Sequence, residues 1–255
     1  MIDIHCHILP NVDDGASHFT DSLHMAKQAE SEGIHTIIAT PHHQNGSYVN
    51  AKKDIEKKVA ELNDYLHSEK VDVHILPGQE TRIYGELLED YEAGEILTLS
   101  GISSYLFIEL PSNHVPHYTD QLCYDMQMKG LIPVIVHPER NSELIQRPDK
   151  LYTLVKNGAA TQITATSFAG YFGKKIQKFA FDLVESNLTH FIASDAHNTT
   201  TRGFKMSEAY DLLETKYGLD SVYYFMENAE LIVDGKDIYR EVPERIKRKK
   251  IFGLF

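Results

Sequence analysis

The chain has 255 residues, 37 acidic and 25 basic side chains, a formal net charge of −12, 14 histidines and 2 cysteines. This charge disfavours a protein whose main task is to grip the phosphate backbone of nucleic acid. No apolar stretch approaches the roughly 20 residues of a membrane span, and the residues after Met1 do not resemble a signal peptide. Two cysteines cannot build a disulfide framework, so we predict a protein of a reducing compartment, the cytoplasm.

Short apolar runs alternate with amphipathic helical segments along the chain. Runs rich in Ile, Val and Thr are typical of buried parallel strands, and we predict strands over residues 2–5, 36–40, 73–77, 105–110, 133–137, 161–164 and 190–193. Helical spacing predicts helices over residues 21–32, 51–66, 118–129, 149–156 and 173–185. Seven β–α alternations favour one domain, residues 1–244, with a parallel, barrel-like α/β architecture.

Metal-ligand residue types stand at the ends of these predicted strands. His5 and His7 close the first strand, and residues two apart in a strand point to the same side. An isolated His-x-His is weak evidence, because it could equally be two polar residues at a strand end. Nearly every later strand, however, also runs into such residues: His42 and His43, Glu80, Glu109, His137 and Glu139, and Asp195 and His197. The carboxyl ends of parallel barrel strands line one mouth, where catalytic groups collect.

The ligand types indicate which metal chemistry to expect. Imidazole and carboxylate groups suit Zn, Mn or Fe better than Ca or soft-metal sites. Five histidines and about four carboxylates are too many for one ion, so we expect two or three ions with a bridging carboxylate such as Glu80. The ions would leave a locally positive site, so an acidic protein could still hold a phosphate group.

As a set, these motifs resemble the PHP (polymerase and histidinol phosphatase) superfamily. The similarity is greatest to the manganese-dependent protein-tyrosine phosphatases of Gram-positive capsule and exopolysaccharide systems, and it extends from Met1 to about Val233. The resemblance implies a distorted (β/α)7 TIM-like barrel with Mn²⁺ at its mouth. Carried over position by position, it implies the metal ligands His5, His7, Asp14, His42, Glu80, Glu109, His137, Asp195 and His197.

Two assignments within this set stay open. Many members of the superfamily have a single Asp before the glycine, whereas this chain has Asp13 and Asp14 before Gly15. We favour Asp14 as the ligand. His43 follows His42 directly and is expected to support the ligands or to face the substrate.

Two arginines are expected at the same mouth. Arg140 lies three residues after His137, and Arg202 lies five after His197. A guanidinium can hold a phosphate with two hydrogen bonds, and the resemblance assigns a phosphate-stabilising role to both arginines; a surface salt bridge is the alternative. With Asp14, they form the expected catalytic set for phosphomonoester hydrolysis by a metal-activated hydroxide.

Other hydrolase chemistries fit poorly. A cysteine phosphatase needs an arginine six residues after its cysteine, but Val12 follows Cys6 and Lys129 follows Cys123 at that spacing. The chain has no G-x-x-x-x-G-K-[ST] phosphate loop and no G-x-S-x-G motif. Two alternatives to a protein phosphatase remain: a small-molecule phosphatase for a substrate such as histidinol phosphate, and a catalytically silent metal-binding scaffold for a kinase.

The resemblance implies phosphotyrosyl proteins, including a bacterial tyrosine kinase, as partners. Residues 245–255 form a basic and apolar tail that could contact a membrane surface or a kinase, although its apolar residues could equally pack on the barrel or on another subunit. A homo-oligomer is compatible with the sequence. Tyr48, Tyr171 and Phe172 are candidates for stacking on a substrate ring, and His114 and His117 could border its channel.

Overall fold

The structure is a computed structural model that describes residues 1–247. The strands within this range are β1 (Ile2–Cys6), β2 (Thr36–Ala39), β3 (His42–His43), β4 (His74–Pro77), β5 (Glu80–Arg82), β6 (Tyr105–Glu109), β7 (Ile132–Val136), β8 (Ala160–Thr164) and β9 (Phe191–Ala193). Every strand pair is parallel. The predicted parallel α/β fold is therefore confirmed.

Helices connect the strands and cover them from outside. They are α1 (Phe19–Ser31), α2 (Lys52–Ser68), α3 (Leu87–Ala93), α4 (Thr119–Met128), α5 (Ser142–Gln146), α6 (Asp149–Lys156), α7 (Ala165–Ala169), α8 (Lys174–Glu185), α9 (Met206–Tyr217) and α10 (Leu219–Val233). The predicted apolar stripe of α2 is confirmed, since Ile55, Val59, Leu62 and Leu66 are its buried residues. Helices α9 and α10 were not among the predicted elements. No helix of residues 1–247 is long and apolar enough to cross a membrane.

Two of the predicted strands are each followed, after a two-residue break, by a short second strand that was not predicted, and we call each such pair a split strand. Strand β2 is separated from β3 by Thr40 and Pro41, and β4 is separated from β5 by Gly78 and Gln79. Pro41 has no N–H to donate to a strand ladder, which accounts for the first interruption. The hydrogen-bonded orders are β1-β2-β4 and β3-β5-β6-β7-β8-β9, so the split strands join the two sheets.

The first and last strands meet at a short seam. The Asp195 N–H donates to the His5 carbonyl at 2.8 Å, and the His7 N–H donates to the Ala196 carbonyl at 2.9 Å. One isolated parallel bridge pairs Cys6 with Ala196. Side chains add to this short backbone pairing, since the Ser194 N–H donates to Asp3 Oδ1 at 2.9 Å. The short seam and the two split strands distort the seven-strand arrangement.

The alternation of side chains along the strands leads from the core to the candidate site. Tyr105 and Phe107 lie in a fully buried apolar cluster, and Glu109 follows them on the same face of β6. Phe191 and Ala193 lie in the same cluster, and Asp195 follows two residues after the end of their strand, β9. An apolar layer therefore supports the acidic groups from below.

Candidate metal centre and active site

The first group of ligand atoms joins β1 to the residues after β4 and β9. His5 Nε2 lies 3.4 Å from Glu80 Oε2 and 3.5 Å from Asp195 Oδ1. His7 Nε2 lies 3.3 Å from the same two oxygens. The four ligand atoms all lie within 4.8 Å of one another, which is close enough to surround one ion. His5, His7, Glu80 and Asp195 are buried.

A second group lies on the other side of His7. Asp14 Oδ1 is 3.4 Å from His42 Nε2 and 3.4 Å from His197 Nε2. The rings of His7 and His197 stack with their centroids 3.8 Å apart. His7, Asp14, His42 and His197 thus offer a second set of ligand atoms within 4.8 Å.

A third group extends from Glu80 toward the cavity. His42, Glu80 and Glu109 provide ligand atoms within 4.8 Å of one another. The other ring nitrogen of His42, Nδ1, lies 2.9 Å from Glu80 Oε2, and His137 Nε2 lies 2.8 Å from Glu80 Oε1. Glu80 therefore has a neighbouring imidazole at each of its oxygens. The structure brings all nine sequence-predicted ligands into one cluster of adjoining groups, in which Asp14 and His197 connect to Glu80 through His7 and His42.

Buried polar atoms without a hydrogen-bond partner indicate whether metal ions fit the cluster. A buried nitrogen or oxygen without a hydrogen bond costs free energy unless another partner satisfies it. Among the described residues, no hydrogen bond of acceptable geometry reaches six buried atoms of the cluster: His5 Nε2, His7 Nε2, His42 Nδ1, His197 Nε2, Glu80 Oε2 and Glu109 Oε2. Their nitrogen and carboxylate chemistry suits divalent transition metals. The residues present therefore fit a cluster of such ions.

Neighbouring polar groups orient the histidines. His5 Nδ1 donates to Gln162 Oε1 at 2.9 Å, His7 Nδ1 donates to Asp13 Oδ2 at 2.7 Å, and His197 Nδ1 donates to the Asp195 carbonyl at 2.9 Å. Each bond leaves Nε2 free as a lone-pair donor toward the cluster. Gln162 was not predicted as a site residue. The feature that could have indicated it is an amide side chain on the one predicted strand without a metal-ligand residue at its end.

Asp13 and Asp14 have different surroundings. Besides His7, Asp13 accepts hydrogen bonds from the backbone N–H groups of Gly15, at 2.9 Å, and His42, at 3.1 Å. Its carboxylate is occupied by these donors. Asp14 instead turns Oδ1 toward His42 and His197, in keeping with the preference for Asp14 as the ligand.

The backbone is unusual at two of the candidate ligands. His137 and Asp195 have φ angles of 36° and 54°, in the left-handed region that non-glycine residues rarely adopt. Such conformations cost on the order of 1–3 kcal/mol each and persist where surrounding contacts enforce them. His137 directly follows β7, and Asp195 lies two residues beyond the end of β9. The left-handed turn at each position directs the side chain toward the cluster.

Both predicted arginines lie at the rim of the cluster. Arg140 Nη2 is 2.7 Å from Asp195 Oδ2, and Arg202 Nη2 is 3.6 Å from the same oxygen. Arg202 Nη1 also contacts Asp14 Oδ2 at 3.3 Å. Their ion-pair partners are the candidate ligands themselves, and the Arg202–Asp14 pair is also the exposed salt bridge that the alternative expected.

The charges shift the pKa values of the ligands in opposite directions. Burial opposes ionisation of Glu80, but attraction to His42 and His5 outweighs it and holds the pKa of this carboxyl well below its usual value. Burial and repulsion by Glu80 raise the pKa of Glu109 to about 7. Burial and the nearby Arg140 lower the pKa of His137 to about 4, which keeps its imidazole neutral. Metals bind neutral imidazoles and ionised carboxylates, so His137 and Glu80 favour the binding form near neutral pH, whereas an ion at Glu109 would compete with a proton.

The cluster opens into a cavity of about 550 Å³. Candidate ligands and both arginines line its polar side, whereas Leu110, Val136, Pro138, Phe172 and Ile176 contribute apolar wall. The volume falls within the range of small-molecule pockets in proteins.

Several other sequence candidates lie away from this cavity. His43 is buried and donates from Nδ1 to the Asn50 carbonyl at 2.8 Å; Asn50 in turn donates to the His42 carbonyl, so His43 supports the ligand loop and does not face the cavity. His117 lines a separate groove with Asp149. The ring of Tyr48 lies parallel to that of His42, 6.3 Å between centroids.

Cys6 and Cys123 are buried, free thiols. Burial raises the pKa of Cys6 well above its usual value and that of Cys123 to about 12. A reactive cysteine needs an accessible thiolate. Because both thiols are buried and protonated, neither can act as the nucleophile of a cysteine phosphatase, as the sequence predicted.

Comparison with known proteins gives a consistent family match. The family model described as "Capsular polysaccharide synthesis, CpsB/CapC" matches residues 1–234. Tyrosine-protein phosphatase YwqE of Bacillus subtilis (strain 168) is 51% identical over 255 residues, covering 100% of both chains. CapC of Staphylococcus aureus is 40% identical over 255 residues, again covering both chains completely.

Solved structures agree with the fold. The crystal structure of YwqE, reported as a metal-dependent tyrosine phosphatase, matches with a TM-score of 0.95 over 97% of this chain and 100% of that chain. A phosphotriesterase homology protein from Escherichia coli, 9% identical, matches with a TM-score of 0.57 over 90% of this chain and 97% of that one. At that identity, the second match supports the fold alone.

Proposed function

This chain belongs to the CpsB/CapC family of capsular polysaccharide synthesis proteins, and we propose that it is a metal-dependent protein-tyrosine phosphatase. The observation that carries the proposal is the set of buried, unpaired ligand atoms beside two arginines at the mouth of the cavity. The relatives' names and the resemblance to YwqE support phosphotyrosine as the substrate.

The candidate ligands would hold the ions in three adjoining groups, with Glu80 shared between two of them. When bound, the ions would supply Lewis acidity that activates water and offsets phosphate charge. We propose Mn²⁺ as the metal, in two or three ions, because the resemblance implies it; Fe and Zn suit the same ligands.

The protein's own groups would bind and orient the phosphoryl group. Arg140 and Arg202 can donate hydrogen bonds to its non-bridging oxygens, since their guanidinium groups already converge on Asp195 Oδ2. Hydrolysis of phosphotyrosine releases a phenol with a pKa of about 10, and this leaving group needs less protonation than an alkyl alcohol. The reaction therefore does not require a strong dedicated acid.

The decisive experiment is a substrate panel on protein of defined metal content. Phosphotyrosyl peptide, phosphoseryl peptide, histidinol phosphate and a phosphodiester are each assayed with Mn²⁺ and with chelator. We expect metal-dependent hydrolysis with a preference for phosphotyrosine. A preference for histidinol phosphate would contradict protein phosphatase activity, and bound metal without any hydrolysis would favour the scaffold.

A pair of histidine variants checks the site. His5→Ala should abolish turnover and lower the metal content, because it removes a buried ligand. His74→Ala, on the exposed start of β4, is the matched control and should retain both properties. Full turnover by His5→Ala would refute the site assignment.

We further propose a cytoplasmic location and a bacterial tyrosine kinase among the phosphotyrosyl partners. Two buried thiols that form no disulfide suit a reducing compartment. The family's connection to capsule synthesis supports a kinase partner. Of the tail, residues 248–255 lie outside the described range, while Arg245 pairs with Asp149 and lies over the Tyr152 ring. Deletion of residues 245–255 would test the tail, since unchanged membrane or kinase association would exclude its proposed role.

A further inference from the structure

The loop between α7 and α8 carries two adjacent aromatic residues that face in different directions. Gly170 and Gly173 flank them with φ angles of 96° and 89°, and the Tyr171 N–H donates to the Thr166 carbonyl at 3.0 Å. These left-handed glycines and the backbone hydrogen bond give the loop a defined course. We call residues 170–173 the aromatic loop.

Tyr171 points away from the candidate active site. Its hydroxyl bonds to Glu208 at 2.8 Å, and Lys205 Nζ lies 4.7 Å from the centre of its ring. It does not line the cavity, although 55% of its surface is exposed. Its neighbour Phe172, 37% exposed, does line the cavity, and the guanidinium carbon of Arg140 lies 5.8 Å from its ring centre.

The position of Phe172 relative to the arginine determines what it could contact. Arg140 reaches Asp195 Oδ2 at 2.7 Å and is one of the two arginines proposed to bind phosphate. In an aryl phosphate, one ester oxygen separates the phosphorus from the ring. A ring attached to a phosphate at Arg140 would therefore come close to Phe172 and Ile176, which contribute to the apolar wall of the cavity.

We infer that Phe172 is a specificity-determining residue that favours phosphate esters of phenols over those of alkyl alcohols. This inference rests on the proposed function. An aromatic ring can pack edge-to-face or offset against Phe172 and lose contact with water, whereas a short alkyl ester offers much less apolar surface. Selectivity for tyrosine would then arise from the apolar wall, while metal ions and arginines serve any phosphomonoester.

The test compares Phe172→Ala with Tyr171→Ala, its matched control from the same loop. Binding to metal-loaded protein is measured by calorimetry with two non-hydrolysable peptides, one carrying phosphonomethyl-phenylalanine and one carrying 2-amino-4-phosphonobutyrate. In parallel, kcat/KM is measured on phosphotyrosyl and phosphoseryl peptides. Phe172→Leu keeps an apolar side chain without the ring, and thermal melting shows whether each variant folds.

We expect Phe172→Ala to weaken binding of the aryl phosphonate and to lower kcat/KM for phosphotyrosine by about 10-fold, while the alkyl ligands change less than about twofold. Phe172→Leu should be intermediate, and Tyr171→Ala should leave both ligand classes unchanged.

Equal effects of Phe172→Ala on aryl and alkyl ligands, or no effect on either, would overturn the inference while leaving the proposed function standing. The same holds if Tyr171→Ala reproduces the loss of selectivity. A wild-type protein that neither hydrolyses phosphotyrosine nor binds the aryl phosphonate would overturn the proposed function and this inference together.

Discussion

His5, His7 and His197 share one arrangement: Nδ1 donates a hydrogen bond away from the cluster, and Nε2 faces it. The acceptors differ, since they are a glutamine, an aspartate and a backbone carbonyl. Each acceptor selects the tautomer in which Nε2 carries a lone pair, and it also holds the ring in place. The geometry of the candidate ligands therefore depends on acceptor atoms that are not themselves among the predicted ligand atoms.

Asp13 and Asp14 provide a residue-scale test of this division. Asp14→Asn removes the negative charge of the carboxylate that faces two imidazoles and leaves a weaker, neutral oxygen ligand, so we expect the variant to bind one ion fewer. Asp13→Asn should keep the stoichiometry but lower metal affinity by about 10- to 100-fold, because it alters the acceptor of His7. Metal analysis and chelator competition measure the two quantities. Full stoichiometry in Asp14→Asn would contradict its role as ligand.

Gln162 allows a separate prediction. Its amide donates to the Ile163 carbonyl at 2.7 Å, which turns Oε1 toward His5. Gln162→Leu should lower metal affinity by about 10- to 100-fold, whereas Gln162→Glu retains an acceptor and should bind metal far better than the leucine variant. Chelator competition on both variants provides the measurement. Equal affinities would show that Gln162 acts only through packing.

At the scale of elements, tight turns after the strands determine which way the ligands face. The turn after β1 is closed by the Ala16 N–H, which donates to the His7 carbonyl at 3.1 Å. Gly15 lies against His7 so closely that a Cβ would be 2.0 Å from the His7 carbonyl oxygen. The absence of a side chain at Gly15 is what lets Asp13 and Asp14 approach the histidines.

Gly15→Ala should therefore reduce stability as well as metal binding. We expect a loss of about 1–3 kcal/mol in the free energy of unfolding, the usual range for overpacking. Gly85→Ala is the matched control, since a Cβ there meets no atom within 4 Å; it should change the free energy by less than about 0.5 kcal/mol. Urea denaturation of both metal-free variants measures their free energies of unfolding. Equal losses of stability in the two variants would show that the close contact between Gly15 and His7 does not limit stability.

For the molecule as a whole, His190, a buried histidine directly before β9, couples the free energy of unfolding to pH. His190 Nδ1 accepts a hydrogen bond from the Thr161 N–H at 3.1 Å, and burial lowers the pKa of its imidazole to about 3. Below the pKa of about 6.5 of an unfolded histidine, the unfolded chain takes up a proton that the folded protein excludes. This contribution to stability is present above pH 6.5 and is lost as the pH falls toward 3.

The predicted slope is up to about 1.4 kcal/mol per pH unit between pH 6 and pH 4. His190→Asn, which can still accept from Thr161, should reduce the pH dependence of the unfolding free energy by about that slope. Urea titrations of metal-free wild type and variant at several pH values give the comparison. Parallel pH profiles would mean that other groups cause the acid sensitivity.

The parallel α/β class and the residue types at the strand ends could be predicted from the amino-acid sequence alone. Both follow from short-range regularities: buried parallel strands are continuous apolar runs, and the residue after such a run must lie at the barrel mouth. Thus Glu109 and Asp195 could be assigned to the site from the strands that precede them. Helices α9 and α10, the breaks after β2 and β4, and the β1–β9 seam depend on packing between distant segments and were not predicted.

Only the tertiary structure separated neighbouring residues of the same type. Asp13 and Asp14 are chemically alike, and what distinguishes them is whether backbone N–H groups or imidazoles lie opposite each carboxylate. Tyr171 and Phe172 are distinguished by which of them faces the cavity, and Gln162 by its distance from a histidine 157 residues earlier. Residue types and their spacing along the chain predict the chemistry at each strand end. The partner of a side chain, in contrast, depends on where turns distant in sequence place the surrounding backbone.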